Sequence, residues 1–149
     1  MRKEFDVLLC TTFPNLYKNR FASMQVTCMC WGFPGDGWFL LIWNLSEKLE
    51  KMILALPERA EDSYGNCRTD CCASQVKEKF GTLRFYMDAS NQEMEDLIDK
   101  AEELSRITCE ECGAPGRLRG KHWLYTACDE HTKEEDKNAL PEPEWDDNE

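Results

Sequence analysis

The chain has 149 residues, of which 42% are hydrophobic and 11% aromatic, and its formal net charge at pH 7 is −11. This composition predicts a packed globular body, and the negative charge disfavours non-specific binding to nucleic acid. The longest apolar run, residues 38–43, is far too short to span a bilayer. The charged N-terminus does not resemble a secretory signal, so we expect a cytoplasmic protein.

A short helix is predicted near the N-terminus, followed by a loop. The helix has Phe5, Leu8 and Leu9 on one side and ends close to Pro14. Prolines and glycines interrupt the later part of residues 28–37, which is typical of a loop because these residues punctuate regular structure.

The second helix has the clearest pattern in the sequence. Asp36 is expected to cap it by accepting a hydrogen bond from its first free amides, and Pro57 is expected to end it. Apolar residues recur at spacings of three and four, which predicts one continuous buried stripe. The stripe consists of Trp38, Leu41, Ile42, Leu45, Leu49, Met52, Ile53 and Leu56. Phe39, Leu40 and Trp43 lie off it, so the first turns are expected to be sandwiched or to contact a partner.

A β-hairpin and a third helix are predicted after the polar segment 58–70. Apolar and polar residues alternate from residue 82 to residue 87, which is the period of a half-buried strand. We therefore expect residues 75–87 to form a hairpin that turns near Gly81. Ser90 and Glu93 have the spacing of a capping box that opens a helix. The predicted buried stripe of that helix is Met94, Leu97, Ile98, Ala101 and Leu104.

Two cysteine-containing pairs predict a metal site. The chain has nine cysteines, an odd number that does not suit a closed disulfide framework. Cys109 and Cys112 form one pair, and Cys128 and His131 form the other. Short turns of this kind each deliver two ligands to one tetrahedral Zn²⁺, and four protein ligands leave no position for water or substrate. The sequence therefore predicts one structural zinc ion, with iron as the alternative metal.

The remaining cysteines have irregular spacings and lie in different segments. A second metal site built from Cys28, Cys30, Cys67 and Cys71 is one interpretation. The favoured interpretation is that they are ordinary buried or surface thiols, because cysteine is among the residues most often buried.

The ligand pairs also organise the predicted C-terminal architecture. A knuckle at the first pair, a small hairpin within residues 117–126 and a helix starting near Asp129 make up a treble-clef arrangement. The predicted fold is α+β, with a helical domain at 1–108 that contains a central β-hairpin. A treble-clef-like zinc unit occupies 109–136, and an acidic tail at 137–149 has too few apolar residues to offset the cost of ordering and is expected to be disordered.

Several motifs resemble those of a protein family. They are GDGWFLLIWNLSEKLE, QVKEKFGTLRFY, TCEECGAPGRLRG and WLYTACDEH, and together they extend over most of residues 33–131. The chain resembles an uncharacterised family of small zinc-binding proteins encoded by bacteriophages and prophages. The resemblance implies the four metal ligands and a phage origin, but no activity.

Two alternative functions would use the C-terminal hairpin. A nucleic-acid-binding zinc module would need its basic and aromatic residues to meet phosphates and stack on bases. Those residues are Arg117, Arg119, Lys121 and Trp123. A nuclease of the His-Asn-His type also uses a treble-clef frame, but it needs a histidine base. Because His131 is assigned to the metal and His122 lies alone in a turn, we disfavour the nuclease.

The favoured function is that of a non-enzymatic phage accessory protein. We expect it to bind and modulate a host protein, including a component of host defence, and we expect no membrane partner. The candidate docking surfaces are the acidic tail and the aromatic helix start at Trp38, Phe39 and Trp43. The competing interpretation places those aromatic rings in the core.

Overall fold

A computed structural model describes residues 1–59 and 67–137. The predicted disordered tail therefore lies outside the described residues, apart from Lys137. The fold is α+β, as predicted, and its helices and strands follow in chain order. They are α1 (Lys3–Thr12), α2 (Phe39–Ala55), β1 (Ala73–Lys79), β2 (Thr82–Met87), α3 (Gln92–Ser105), β3 (Arg117–Arg119) and β4 (Tyr125–Ala127). Short 3₁₀ turns lie at Cys28–Trp31, Asp36–Trp38 and Glu134–Asp136.

Helix α2 supplies the centre of the core. The predicted stripe is confirmed, and its most deeply buried members are Trp38, Ile42, Leu45, Leu49 and Ile53. Each such side chain contributes roughly 1.5–3 kcal/mol by leaving water. The helix packs against α3 and contacts α1, so the position of α2 sets the position of the other two helices.

A buried carboxylate ties α2 to the segment that follows α1. Glu50 is 6% exposed, although it lies beside the apolar stripe. Its carboxylate accepts hydrogen bonds from the backbone amides of Asn15 (3.1 Å) and Leu16 (2.8 Å) and from the Asn15 side chain (2.7 Å). The carboxylate thus satisfies amides that would otherwise be buried without an acceptor.

We expect Glu50→Gln to lower the free energy of unfolding by about 1–3 kcal/mol. The side-chain NH₂ group of glutamine would face backbone N–H groups, so one hydrogen-bond donor would meet another. Urea unfolding followed by circular dichroism measures the change. Glu47→Gln is the matched control, since Glu47 lies on the same helix in an exposed ion pair with Lys51 and its loss should cost about 0.5 kcal/mol or less. Equal effects for the two variants would contradict a structural role for the buried carboxylate.

Strands β1 and β2 form the predicted hairpin. They pair antiparallel, with Val76 opposite Phe85, and both of these side chains are buried. The turn lies at Phe80 and Gly81, as predicted, and both residues have positive φ (55° and 77°). Two consecutive residues of this conformation match the twist of a tight hairpin.

Four local predictions at the helices need correction. The N-cap of α3 is Asn91, which accepts from the Met94 amide at 3.0 Å, whereas the Ser90 hydroxyl bonds to Glu95. Leu104, predicted to be buried, is 53% exposed, because α3 turns the neighbouring Ser105 inward.

Asp36 does not cap α2. Its carboxylate accepts from the backbone amide and the Nε of Arg2, each at 2.6 Å, because a 3₁₀ turn separates Asp36 from the start of the helix. Leu8, predicted to lie on one side of α1 with Phe5 and Leu9, is 45% exposed, and Leu9 is the one buried residue of that helix. Over the described ranges 1–59 and 67–137, no helix has both the length and the apolar character needed to cross a membrane.

Candidate metal centre

Two turns bring the predicted ligands together. The first follows α3, where the Gly113 amide donates to the Cys109 carbonyl (2.9 Å) and the Cys109 amide donates to the Ala114 carbonyl (2.8 Å). Gly113 has a φ of 78°, a conformation that side-chain-bearing residues rarely adopt, so glycine suits the turn. The second turn follows β4 and carries Cys128 and His131.

The four ligand atoms have the spacing of a tetrahedral metal site. They all lie within 4.8 Å of one another. The Sγ atoms of Cys112 and Cys128 are 3.8 Å apart, and Nδ1 of His131 is 3.7 Å from Cys109 Sγ and 3.2 Å from Cys128 Sγ. An ion with metal–sulfur bonds of about 2.3 Å in a tetrahedron would separate its sulfurs by about 3.8 Å. A disulfide would require about 2.05 Å, so Cys112 and Cys128 are not bonded to each other.

The ligand groups shift one another's pKa values in different directions. Burial raises the pKa of the Cys128 thiol, but hydrogen bonds from His131 and from neighbouring thiols outweigh it and bring that pKa to about 7. The hydrogen bond to Cys128 in turn raises the pKa of His131. The lowered pKa favours the metal-binding thiolate at Cys128, whereas the raised pKa of His131 favours the protonated imidazole, which must lose its proton to bind a metal.

Two glycines hold the first ligand turn against the start of α2. The Gly37 amide donates to the Glu110 carbonyl at 2.7 Å, and the Gly35 amide donates to the Glu110 carboxylate at 3.2 Å. A Cβ atom on Gly37 would overlap the Cys109 carbonyl oxygen and the backbone nitrogens of the same turn. The Nε1 atom of the Trp38 indole also donates a hydrogen bond to the Thr108 carbonyl (2.8 Å). The sequence pattern predicts only a loop at these glycines and does not identify the turn that they contact.

The second hairpin is also anchored to the rest of the fold. Strands β3 and β4 pair antiparallel, which confirms the predicted small hairpin, although β4 begins at Tyr125. The buried Thr126 hydroxyl donates to the Gly81 carbonyl at 2.6 Å, so the turn of the first hairpin contacts the second. The Glu110 amide donates to the Thr126 carbonyl (3.0 Å), which joins the hairpin to the first ligand turn.

The helix expected after Cys128 is not found within the described residues, which end at 137. A turn and the 3₁₀ segment Glu134–Asp136 stand in its place. The Tyr125 hydroxyl donates to the Asp136 carboxylate (2.7 Å) and accepts from the Lys133 amide (3.0 Å). Thr132 is the one buried residue between 129 and 137, so this stretch lacks the apolar stripe that would pack a helix onto the domain.

The aromatic surface predicted at the start of α2 is mostly internal. Trp38 is completely buried, so its assignment to a partner surface is wrong. Phe39 is half-buried and stacks on Phe5, with ring centroids 4.1 Å apart, and Trp43 is half-buried against the edge of Phe13. These rings pack α1 against α2, and Leu40 is the large apolar side chain that remains exposed between them.

The predicted basic hairpin is partly neutralised. The Arg119 guanidinium contacts the Asp129 carboxylate at 2.5 Å and its side chain is only 8% exposed, while Arg117 approaches the same carboxylate at 3.7 Å. Lys121 is exposed, and Trp123 is 71% exposed. The hairpin thus offers one exposed ring, but fewer free cations than its sequence suggests.

The other cysteines have separate surroundings. The Cys67 thiol donates a hydrogen bond to the Asp70 carboxylate (2.9 Å), and the Cys30 thiol donates one to the Thr27 carbonyl (3.5 Å). Cys71 is buried, whereas Cys28 is exposed. Among residues 1–59 and 67–137, the one Cys/His/carboxylate group close enough to hold an ion is the cluster of Cys109, Cys112, Cys128 and His131. The second metal site built from the other thiols is therefore not found in this part of the chain.

We expect Cys28 to react with iodoacetamide well before Cys10 or Cys72. Burial, together with nearby carboxylates, raises the pKa of each of those two thiols to about 12, so little thiolate is present at pH 8. Mass spectrometry of tryptic peptides after brief alkylation measures the order. Equal labelling of the three thiols would show that Cys10 and Cys72 are accessible as thiolates.

A groove lies next to the metal cluster, between α2, α3 and the first ligand turn. Its volume is about 720 Å³, and we call it the α2–α3 groove. Its apolar lining comes from Phe5, Phe39, Leu40, Leu41, Leu45, Leu97, Ala101 and Leu104. Charged residues at the groove are Arg2, Asp36, Lys48, Lys100 and Glu111, and Cys112 lies at its edge.

The predicted ligand set is therefore confirmed as a group that could hold one metal ion. Its two turns are fixed by backbone contacts to α2 and to the first hairpin. Comparisons of the chain with protein-family models, with curated proteins and with solved structures find no match.

Proposed function

We propose that the protein is a non-enzymatic binding module, held together by a structural zinc ion, that docks onto another protein through the α2–α3 groove. The observation that carries this proposal is the completeness of the ligand set. Three thiols and one imidazole fill a tetrahedral shell, so no coordination position is left for a water or a substrate. Three sulfur ligands and one nitrogen ligand favour Zn²⁺ over harder cations.

The zinc unit is proposed to be treble-clef-like. A knuckle, a hairpin and a second ligand pair follow one another in the order of this arrangement, with a turn and a 3₁₀ segment in the place of its helix. The task of the ion is to join two turns in a segment with little apolar surface of its own, so that metal-binding energy becomes folding energy.

As one of the four proposed metal ligands, His131 is not available as a catalytic base, which supports a binding role over the nuclease alternative. His131 directs Nδ1 toward the sulfurs, and the other histidine, His122, lies exposed in the turn between β3 and β4. Within residues 1–59 and 67–137 no hydrogen bond joins the His122 ring to a carboxylate, although Glu135 and Asp136 line the same cavity, so His122 lacks the orienting partner of a general base.

The groove supports protein binding over nucleic-acid binding. Leu40 from α2 and Leu104 from α3 are 68% and 53% exposed, whereas the arginines of the basic hairpin share the Asp129 carboxylate. Adjacent exposed apolar side chains on two helices are typical of a protein interface. The net charge of −11 removes the long-range attraction that binding to phosphates needs.

The motifs that resemble the phage and prophage family support the biological setting. On that basis the protein is proposed to act in the cytoplasm of an infected bacterium, where it binds and modulates a host protein, including a component of host defence. The groove gives this proposal a testable surface.

Affinity capture of the tagged chain from infected cells tests the proposal. We expect one host protein to be recovered by the wild type and lost with Leu40→Glu, because a buried carboxylate without a partner disfavours the interface. Leu54→Glu is the matched control, since Leu54 is 48% exposed on the same helix but does not line the groove. Equal capture by both variants would refute the groove as the docking site. Recovery of nucleic acid that is lost with Arg117→Glu would support the alternative module.

A further inference from the structure

A loop after α1 has no charge and carries several exposed apolar side chains. No charged residue lies between Arg20 and Asp36, although charged residues make up 32% of the chain. We call residues 21–31 the uncharged loop. Four of its large apolar side chains are between 62% and 79% exposed. They are Phe21, Met24, Val26 and Trp31. Single exposed apolar residues are normal on a soluble protein, but four within one loop are typical of a contact surface.

Hydrogen bonds and buried residues fix the uncharged loop from its inner side. The Thr27 hydroxyl donates to the Ser74 carbonyl of β1 (3.1 Å) and accepts from the Met29 amide (3.1 Å). Nη1 of Arg20 donates to the Met29 carbonyl (2.9 Å), and the same guanidinium forms an ion pair with Asp6 of α1. Thr27 and Met29 are both buried. The loop therefore presents its apolar side chains in a conformation that costs little further entropy to bind.

The exposed side chains of the loop lie close to one another. The Arg20 guanidinium is 5.1 Å from the centre of the Phe21 ring. A Cβ atom on the glycine that follows Trp31 would lie 3.0 Å from the same guanidinium. Met24 and Val26 line one shallow cavity of about 270 Å³. Both ends of the loop thus meet at one guanidinium, and its middle forms one apolar surface.

We propose that the uncharged loop is the centre of a contact between two copies of this chain. Centres of homodimer interfaces are enriched in aromatic residues and methionine and depleted of charge, as this loop is. Each copy has a formal net charge of −11, so two copies repel each other wherever their acidic surfaces meet. A two-fold contact brings the same surface of both copies together, and an uncharged surface places no like charges in that contact.

The size of the loop suits the centre of an interface and not a whole interface. The rings of Phe21 and Trp31 are each more than 70% exposed, so together they present roughly 200–400 Å². A stable interface buries about 800 Å² on each partner. The residues around the loop must supply the remainder, so we expect a dimer that dissociates on dilution.

Other partners fit the loop less well. Anionic membrane surfaces repel an acidic chain, and the loop has no cation to meet lipid headgroups. Charge complementarity guides association with a different protein, and an uncharged loop offers none. The α2–α3 groove is a poorer self-contact, because Lys48 and Lys100 would face their own copies there. None of the exposed loop residues lines that groove, so this inference and the proposed function can fail separately.

Sedimentation velocity of the full-length chain over a range of micromolar concentrations tests the inference. We expect a monomer–dimer equilibrium whose dissociation constant rises about tenfold or more in Phe21→Ser and in Trp31→Ser, as for rings at the centre of an interface. Leu54→Ser is the matched control, because Leu54 is exposed outside both the loop and the groove, and it should stay within about twofold of the wild type. A wild type that remains monomeric, or equal weakening in Leu54→Ser, would overturn the inference. Loss of the dimer in Leu40→Ser alone would assign the self-contact to the groove.

Two further measurements separate this dimer from the other occupants. Added salt should strengthen the dimer, because it screens the repulsion between two acidic copies, whereas weakening by salt would show a contact between opposite charges and refute the proposal. Cys28, the exposed thiol of the loop, should react with iodoacetamide more slowly at high protein concentration in the wild type but not in Phe21→Ser. A rate that is independent of concentration in the wild type would count against the loop. Monomers that bind lipid vesicles through Trp31 would assign the loop to a membrane.

Discussion

Replacing Cys112 with serine is expected to release the bound metal and unfold the unit formed by residues 109–136. The remaining three ligands cannot close a tetrahedral shell, and little apolar surface holds this segment, since β3 is largely exposed. Apparent binding energies of structural zinc sites are about 10–16 kcal/mol, whereas whole domains are stable by about 5–15 kcal/mol. Loss of the ion should therefore remove most of the stability of the C-terminal unit.

Elemental analysis and thermal unfolding measure this effect together. The wild type should contain one metal ion per chain, and a strong chelator should lower its melting temperature to that of the Cys112 variant. Cys28→Ser is the control, because Cys28 is an exposed thiol outside the cluster, and this variant should keep both its metal and its melting temperature. A melting profile that stays unchanged after complete metal loss would contradict a structural role for the ion.

The second large effect is expected from Gly37→Ala. The added methyl group would overlap backbone atoms of Cys109, Cys112 and Gly113, none of which can rotate away as a side-chain end could. The ligand turn would have to separate from α2, which would weaken the bond from the Gly37 amide to the Glu110 carbonyl. We expect a loss of about 1–3 kcal/mol in unfolding free energy, the usual cost of overpacking, and faster transfer of metal to a chelator.

Urea unfolding and chelator kinetics measure the two parts of this prediction. Asp36→Ala is the neighbouring control. It removes an ion pair and a backbone hydrogen bond with Arg2, whose side chain is 59% exposed, and exposed pairs of this kind contribute about 0–1 kcal/mol. If the two variants lost metal at the same rate, close contact at Gly37 would not be what holds the ligand turn.

Periodicity predicted the regular elements because it reflects which face of each element leaves water. The stripe on α2 and the alternation on β2 both depend on local spacing alone, and both are confirmed. The ligand set was predictable for a similar reason, since Cys109 and Cys112, like Cys128 and His131, are brought together by a turn of fixed length.

Contacts between distant segments were not predictable from the same patterns. Trp38 has the same spacing whether its ring meets the core or a partner, and its burial depends on contacts with distant segments, such as the bond to Thr108. Glu50 looks like one more surface carboxylate until its acceptor role for the amides of Asn15 and Leu16 is known. The helix expected after Cys128 depended on charge placement, which favours a helix start but cannot supply a buried face.

The bonds that join α2 to the first ligand turn affect the order in which the molecule assembles. Trp38 and its acceptor at Thr108 are separated by 70 positions along the chain. Ribosomes deliver the N-terminal partner first, so the Gly37 amide and the Trp38 indole emerge long before their acceptors. Until residue 110 leaves the exit tunnel, the Gly37 amide and the Trp38 indole lack their hydrogen-bond acceptors, and the Trp38 ring is not yet fully buried. Nascent chains arrested before that point should therefore bind chaperones, and emergence of residues 108–110 should release them.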